Sequence, residues 1–290
     1  MAWLQLHIPS DVDNTESLQE LLAELGASAV TCTDAADQPL LEPPPGATPL
    51  WQHTVVTALF EADTDPDLLR SAIETMVGPQ PELRFESVED QPWERAWMDD
   101  FQPMPFGERL WIIPSWSEAP DASAVNLRLD PGLAFGTGTH ETTSLCLRWL
   151  DGAALNHAQV LDFGCGSGVL AIAALLLGAD QATACDLDPQ ALLASDDNAR
   201  NNGVAERLHC CLPEALPEQE YDVVLANILA GPLVDLAPLL TRRCRPGGQL
   251  VLSGILAEQA SAVMEAYREQ FELHPVARQG DWVRLHGTRR

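Results

Sequence analysis

Three glycines at alternate positions carry the first sign of chemistry in this chain. Residues 160–179 read V-L-D-F-G-C-G-S-G-V-L-A-I-A-A-L-L-L-G-A. The apolar entry, Val160 and Leu161, predicts a buried parallel strand. Asp162, Gly164, Gly166 and Gly168 predict a tight turn, followed by an Ala/Leu-rich helix that Gly178 ends. Strand, glycine turn and helix together form the nucleotide-binding opening of a doubly wound α/β sheet. Backbone without side chains lets a ligand come close, and the helix start offers unpaired N–H groups and a positive dipole end.

Glycine spacing narrows the ligand. A dinucleotide fingerprint, counted from Gly164, needs its third glycine at position 169, which is Val169. No G-x-x-x-x-G-K-[ST] run exists, so a P-loop is excluded. What remains is Asp-x-Gly-x-Gly-x-Gly, with Asp186 at the end of the next strand, Ala182 to Cys185. A carboxylate there can accept hydrogen bonds from two ribose hydroxyls. The pattern resembles the S-adenosylmethionine (SAM) methyltransferases.

Two further stretches are expected at the same end of the sheet. Residues 130–143, D-P-G-L-A-F-G-T-G-T-H-E-T-T, lead directly into a helix from Ser144 to Leu150. Hydroxyls at that start either cap helix N–H groups or face a cofactor carboxylate. The strand Tyr221 to Ala226 leads into Asn227-Ile-Leu-Ala-Gly-Pro232. As the fourth strand of the doubly wound sheet, it ends beside the glycine turn. Asn227 can there offer its carbonyl to an incoming amine and its amide to a cofactor.

The elements that must position these residues fall into two groups. The first 90 residues read as β-α-β-β-α-β. Leu4, Leu6 and Ile8 alternate inward on the first strand, and Leu18, Leu21, Leu22 and Leu25 lie at helical spacing. A second helix from Asp65-Pro66 is expected to carry Leu69, Ile73, Met76 and Val77 inward. That order is the ferredoxin-like α+β arrangement, without a phosphate loop or acid/His cluster, and suits a recognition module. An aromatic-rich helix, residues 91–104, is expected to connect it to a catalytic domain, residues 105–290. There the strand Arg109 to Trp116 comes first. A single helix is expected through Leu233, Leu236 and Leu240. A closing hairpin from Glu272 to His286 completes a seven-stranded Rossmann-like sheet with one reversed strand.

Composition sets limits. The chain of 290 residues has a formal charge of −27, which repels phosphate backbones, so direct nucleic-acid binding is not expected. The acidity fits recruitment of a basic protein and equally fits solubility in a salty habitat. Seven scattered cysteines without C-x-x-C suggest reduced, buried thiols, with no zinc site or other metal. No basic-then-apolar start and no apolar run of about 20 residues is present. The expectation is a cytoplasmic, monomeric protein without membrane contact.

Four motifs in order carry a more specific resemblance: D-P-G-L-A-F-G-T-G-T-H-E-T-T, V-L-D-F-G-C-G-S-G-V-L-A-I-A-A, D-L-D-P-Q-A and A-N-I-L-A-G-P-L. With W-E-R-A-W-M-D-D-F and P-F-G-E-R-L-W-I ahead of them, the chain resembles the PrmA family, the bacterial methyltransferases of large-subunit ribosomal protein L11. The resemblance implies an N-terminal domain that grips L11. It also implies a catalytic domain that uses SAM to methylate lysine ε-amines and the N-terminal α-amine. By motif, Thr143, Gly164, Asp186 and Asn227 fall on SAM-contacting positions, with Gly166 in the same turn. The tetrad Asn227-Ile-Leu-Ala230 departs from the Asn-Pro-Pro-Tyr of other amine methyltransferases, so the aromatic clamp of those relatives is missing. Phe135 and His140 are candidates to shape the amine pocket, and His140 is also a candidate proton acceptor. No catalytic residue is assigned. An RNA methyltransferase, or a SAM-binding module without turnover, are the alternatives.

Overall fold

Alternation in the first strand sets up the N-terminal sheet. In the computed structural model, which describes residues 3–36, 38, 50–89, 101–130 and 140–290, the chain divides into two units, Met1–Met98 and Asp99–Arg290. The linker helix expected at 91–104 lies largely outside the described residues. The first unit contains β1 (Trp3–Asp11), α1 (Thr15–Glu24), β2 (Ala29–Asp34), β3 (His53–Glu61), α2 (Pro66–Val77) and β4 (Arg84–Val88). Its antiparallel sheet runs β2-β3-β1-β4, the ferredoxin-like order. Leu6, Ile8, Val56, Ala58 and Phe60 on the sheet pack with Leu18, Leu22, Leu69 and Ile73 of the helices. Met76 and Val77 depart from expectation. Both are exposed, because the last turn of α2 lies outside this core and its apolar stripe meets no neighbour among the described residues.

The second unit opens with a small sheet of β5 (Met104–Phe106), β6 (Leu110–Ile113) and β7 (Val125–Arg128), in that order. The strand expected from Arg109 to Trp116 is therefore shorter, and it stays outside the large sheet. Pro114 follows its last residue and has no N–H with which to continue a ladder. The turn before β6 is held from a distance by buried Asp151 at the end of α3 (Glu141–Gly152). Its carboxylate accepts from the N–H groups of Glu108 (2.7 Å), Arg109 (3.0 Å) and Leu110 (2.9 Å). The Arg109 guanidinium donates to the Asp151 backbone carbonyl. Asp151→Asn turns one acceptor into a donor facing an N–H. A loss of about 2 kcal/mol of stability is expected, the cost of an unmet buried polar group, read as a lower urea midpoint.

The large sheet contains β8 (Gln159–Phe163), β9 (Gln181–Cys185), β10 (Leu208–Cys211), β11 (Tyr221–Asn227), β12 (Cys244–Leu256), β13 (Phe271–Leu273), β14 (Ala277–Gln279) and β15 (Trp282–Arg289). Seven strands run β10-β9-β8-β11-β12-β15-β13. The first five are parallel and β15 is reversed. The closing hairpin has a first arm broken into β13 and β14, and both pieces pair with β15.

Strand residues alternate between two cores, as a sheet covered on both faces requires. Val160, Ala182, Ala184, Leu225 and Val251 meet α3, α4 (Val169–Leu176) and α5 (Pro189–Asn201). Leu161, Phe163, Val224, Ala226 and Leu252 meet α6 (Ala230–Asp235), α7 (Ala237–Arg243) and α8 (Ala260–Tyr267). The single helix expected through Leu233, Leu236 and Leu240 is two, broken at Leu236. Pro238 has no N–H, and its ring would strike the carbonyl four residues back in a continuous helix. All seven cysteines are free thiols, and no described helix is long and apolar enough to cross a membrane.

One titrating group couples this sheet to pH. His286 Nε2–H donates to Gln249 Oε1 at 2.7 Å, and the ring lies tilted 4.5 Å from His274 and meets Trp149 edge-on at 5.0 Å. Burial, then His274 and Arg284, push its pKa down to about 4. The unfolded chain binds that proton near pH 6.5, so stability present above pH 6.5 is lost as pH falls towards 4. The ring is partly exposed and screened, which leaves an expected loss on the order of 1 kcal/mol. Because Asp162 of β8 titrates in the same window with the opposite sign, the reading is the difference between parent and His286→Gln: the variant should lose less urea midpoint, or gain more, than the parent between pH 7 and pH 5.

Candidate functional site

The glycine turn forms as its spacing requires. Gly164, Gly166 and Gly168 have φ of 76°, 52° and 76°, the left-handed region that side chains with a Cβ rarely enter. The turn is held from three sides. Gly164 N–H and Cys165 N–H donate to the Cys185 carbonyl at 2.7 and 3.1 Å. Ser195 Oγ donates to the Gly166 carbonyl, and Asn198 Nδ2 to the Ser167 carbonyl, both at 2.9 Å. Gly166 N–H donates to Asp186 Oδ2 at 2.9 Å, while Asp188 N–H reaches Asp186 Oδ1 at 3.0 Å. Each Asp186 oxygen thus keeps acceptor capacity for one more donor.

Asp162, the first acid of the motif, lies fully buried beneath the turn. Its Oδ2 accepts from Ala171 N–H (3.1 Å) in the first turn of α4, and its Oδ1 has no partner among the described residues. Burial pushes this carboxyl up to about 7; the Ala171 N–H opposes the rise and the Asp186 charge adds to it.

Asn227 ends β11, where Ala226 pairs with Phe163 just before the turn. Its Nδ2 donates to Thr143 Oγ1 at 3.2 Å, and its buried Oδ1 has no partner among the described residues. Thr143 is itself buried in the first turn of α3. The structure therefore brings all five expected residues together: Gly166 bonds Asp186, Asn227 bonds Thr143, and Gly164 abuts Ile228, the neighbour of Asn227.

His140 has a different place from a free base. It is the N-cap of α3: Nδ1 accepts from Thr142 N–H at 3.3 Å and lies 2.8 Å from Thr142 Oγ1. The lone pair that would take a proton is used in capping. Its ring meets Trp282 edge-on at 5.0 Å, and Trp282 pairs with Leu256 at the carboxyl end of the sheet. Phe135, Gly136 and Gly138 lie outside the described residues. Sequence reasoning passed over Ser195, Asn198 and Trp282. The first two carried a signal, since a spacing of three places them on one face of α5.

The donor set suits a ligand with a cationic head, a diol and a flat apolar part. Two acceptors, Asp162 Oδ1 and Asn227 Oδ1, are buried and unmet. A carboxylate with spare acceptor capacity brackets the turn, and exposed Leu187 follows it. These features fit SAM.

Comparison with known proteins gives the family. The family model described as ribosomal protein L11 methyltransferase (PrmA) matches residues 2–290. The ribosomal protein L11 methyltransferases of Pseudomonas putida (strain W619) and Azotobacter vinelandii are each 58% identical over 292 residues, covering all of both chains. A crystal structure of ribosomal protein L11 methylase from Lactobacillus delbrueckii subsp. bulgaricus is 32% identical. It superposes with a TM-score of 0.59 over 65% of this chain and 98% of the other.

Proposed function

This chain belongs to the ribosomal protein L11 methyltransferase (PrmA) family, and from that membership we propose the following reading of its activity and site. The protein is a SAM-dependent protein methyltransferase that acts on L11. Its acceptors are lysine ε-amines and the N-terminal α-amine. Residues 1–90 grip the substrate, residues 91–104 connect, and residues 105–290 carry the chemistry. Thr143, Gly164, Gly166 and Asp186 hold the cofactor, and Asn227 touches it while serving chiefly to align the amine.

The observation that carries this reading is Asn227. One N–H of its amide goes to Thr143, and its carbonyl oxygen, buried at the end of the central strand, has no partner among the described residues. Bound SAM supplies a methyl group on a sulfonium, open to in-line displacement. The chain's part is to position and orient the nucleophile. An attacking amine must be neutral, whereas a free lysine has a pKa of about 10.4 and an α-amine about 8. Withdrawal from water disfavours the ammonium form. The Asn227 carbonyl can accept an N–H from the neutral amine and align its lone pair without adding a charge that would hold the proton. Trp282, beside the capped start of α3, offers an apolar wall to an aliphatic lysine stem.

Transfer of labelled methyl from SAM into ribosomal fractions, separated into protein and RNA, tests the reading. Label in one large-subunit protein of the mass of L11, on lysine or the N-terminus, is the expected result. Label in RNA overturns the protein substrate, and SAM binding without any label overturns turnover itself.

A further inference from the structure

The residue after Asn227 is enclosed by two glycines, one from the turn after β8 and one from β12. On one side stands Gly164 of the turn: a Cβ there would come within 2.2 Å of Ile228 Cγ2. On the other stands Gly254 of β12, where a Cβ would meet the Ile228 backbone itself, 2.2 Å from its carbonyl O, 2.7 Å from its carbonyl C and 3.1 Å from its N. Gly254 has φ of 82°. It sits in a β-bulge: Leu252 pairs with Leu285 and Ile255 with Val283, so Ser253 and Gly254 together oppose Arg284. The preceding residue, Ser253, pairs directly with Asn227 and is anchored by its Oγ donating to the Val283 carbonyl at 3.2 Å. Bulges bend a strand and re-aim what lies beside it. Here the bulge presses a bare Cα against the peptide that follows the amine-aligning asparagine.

We infer that Gly254 is a positioning residue for methyl transfer: the β12 bulge and Gly164 clamp Ile228 from both sides, and this clamp sets the direction of the Asn227 carbonyl. The inference rests on the proposed role of Asn227 in aligning the amine. The two sides of the clamp differ chemically. Gly254 meets backbone, which cannot yield by a change of rotamer, whereas Gly164 meets the end of a side chain that can be removed.

That asymmetry supplies the test, with SAM affinity by calorimetry, thermal midpoint, and steady-state turnover on purified L11 as readouts. Asn227→Ala alone should lower kcat, and no loss there would overturn the alignment role rather than the clamp. Gly254→Ala should lower kcat about 100-fold through misplacement of the asparagine, with SAM affinity held within about threefold. Combined with Asn227→Ala, it should cost almost nothing more. A further 100-fold loss in the double variant, or an equal fall in SAM affinity, overturns the clamp. Ile228→Ala should recover part of the SAM affinity and thermal midpoint lost in Gly164→Ala, the left-handed φ of Gly164 keeping the rest, yet leave Gly254→Ala unimproved. Failure of the first rescue, or success of the second, overturns the clamp even where Gly254→Ala proves too unstable for kinetics.

Discussion

Asn227→Ala should slow methyl transfer about 100-fold while SAM affinity changes by less than about threefold. The magnitude is that of removing one oriented polar group from a reacting centre. The selectivity follows from the hydrogen bonds. The Asn227 amide already has a protein partner in Thr143, whereas its carbonyl is buried with none. Deleting the side chain therefore removes the group free to meet the nucleophile and leaves Asp186 and the glycine turn in place. Single-turnover rates at saturating SAM separate this from a binding defect. Equal losses in rate and affinity would reduce Asn227 to a cofactor contact. Asn227→Asp adds a useful contrast. Its carboxylate can still accept a hydrogen bond but favours the ammonium form of the incoming amine. The pH–rate profile should then move to higher pH, a shift that simple loss of packing would not produce.

Asp186→Ala should have the opposite signature, with SAM affinity falling about 100-fold and turnover at saturating SAM reduced far less. Two contributions add. Each Asp186 oxygen holds a backbone N–H, from Gly166 and from Asp188, and so braces the turn against the first turn of α5. Each oxygen also keeps capacity for a ribose hydroxyl. Hydrogen bonds to a charged acceptor contribute about 1.5–3 kcal/mol apiece, and losing one or two of them accounts for that factor. Asp186→Asn keeps the shape with a weaker acceptor and should fall in between. Calorimetric titration with SAM reads all three proteins, and an unchanged affinity in Asp186→Ala would remove the residue from the cofactor site.

Both carboxylates of the site were visible in the sequence because their signals are local. Three alternate glycines after an apolar pair can form only a left-handed turn between strand and helix. An acid at the end of the following strand must then lie at the same edge of a parallel sheet. The ferredoxin-like order of the first unit was legible for a similar reason, since periods of 2 and 3.6 residues report which face each element buries. Asn227 and Thr143 were placed by motif, yet their hydrogen bond spans 84 residues and no spacing rule encodes it.

Where local reading went astray, the cause lay in what surrounds an element. Met76 and Val77 continue the apolar stripe of α2, but a stripe is buried only as far as a neighbour extends to cover it. The strand expected from Arg109 to Trp116 is cut to Leu110–Ile113. Asp151, from more than 40 residues away, gathers three of the turn's N–H groups and Pro114 closes the strand. Composition and periodicity thus determined the two kinds of domain, the parallel sheet and the glycine turn that opens it, because these depend on side-chain period and backbone freedom within a few residues. Tertiary structure alone decided that Asn227 Oδ1 stays unmet and that Gly254 faces the Ile228 peptide, because close approach between strands depends on the sheet's register and bulges, which no single segment contains.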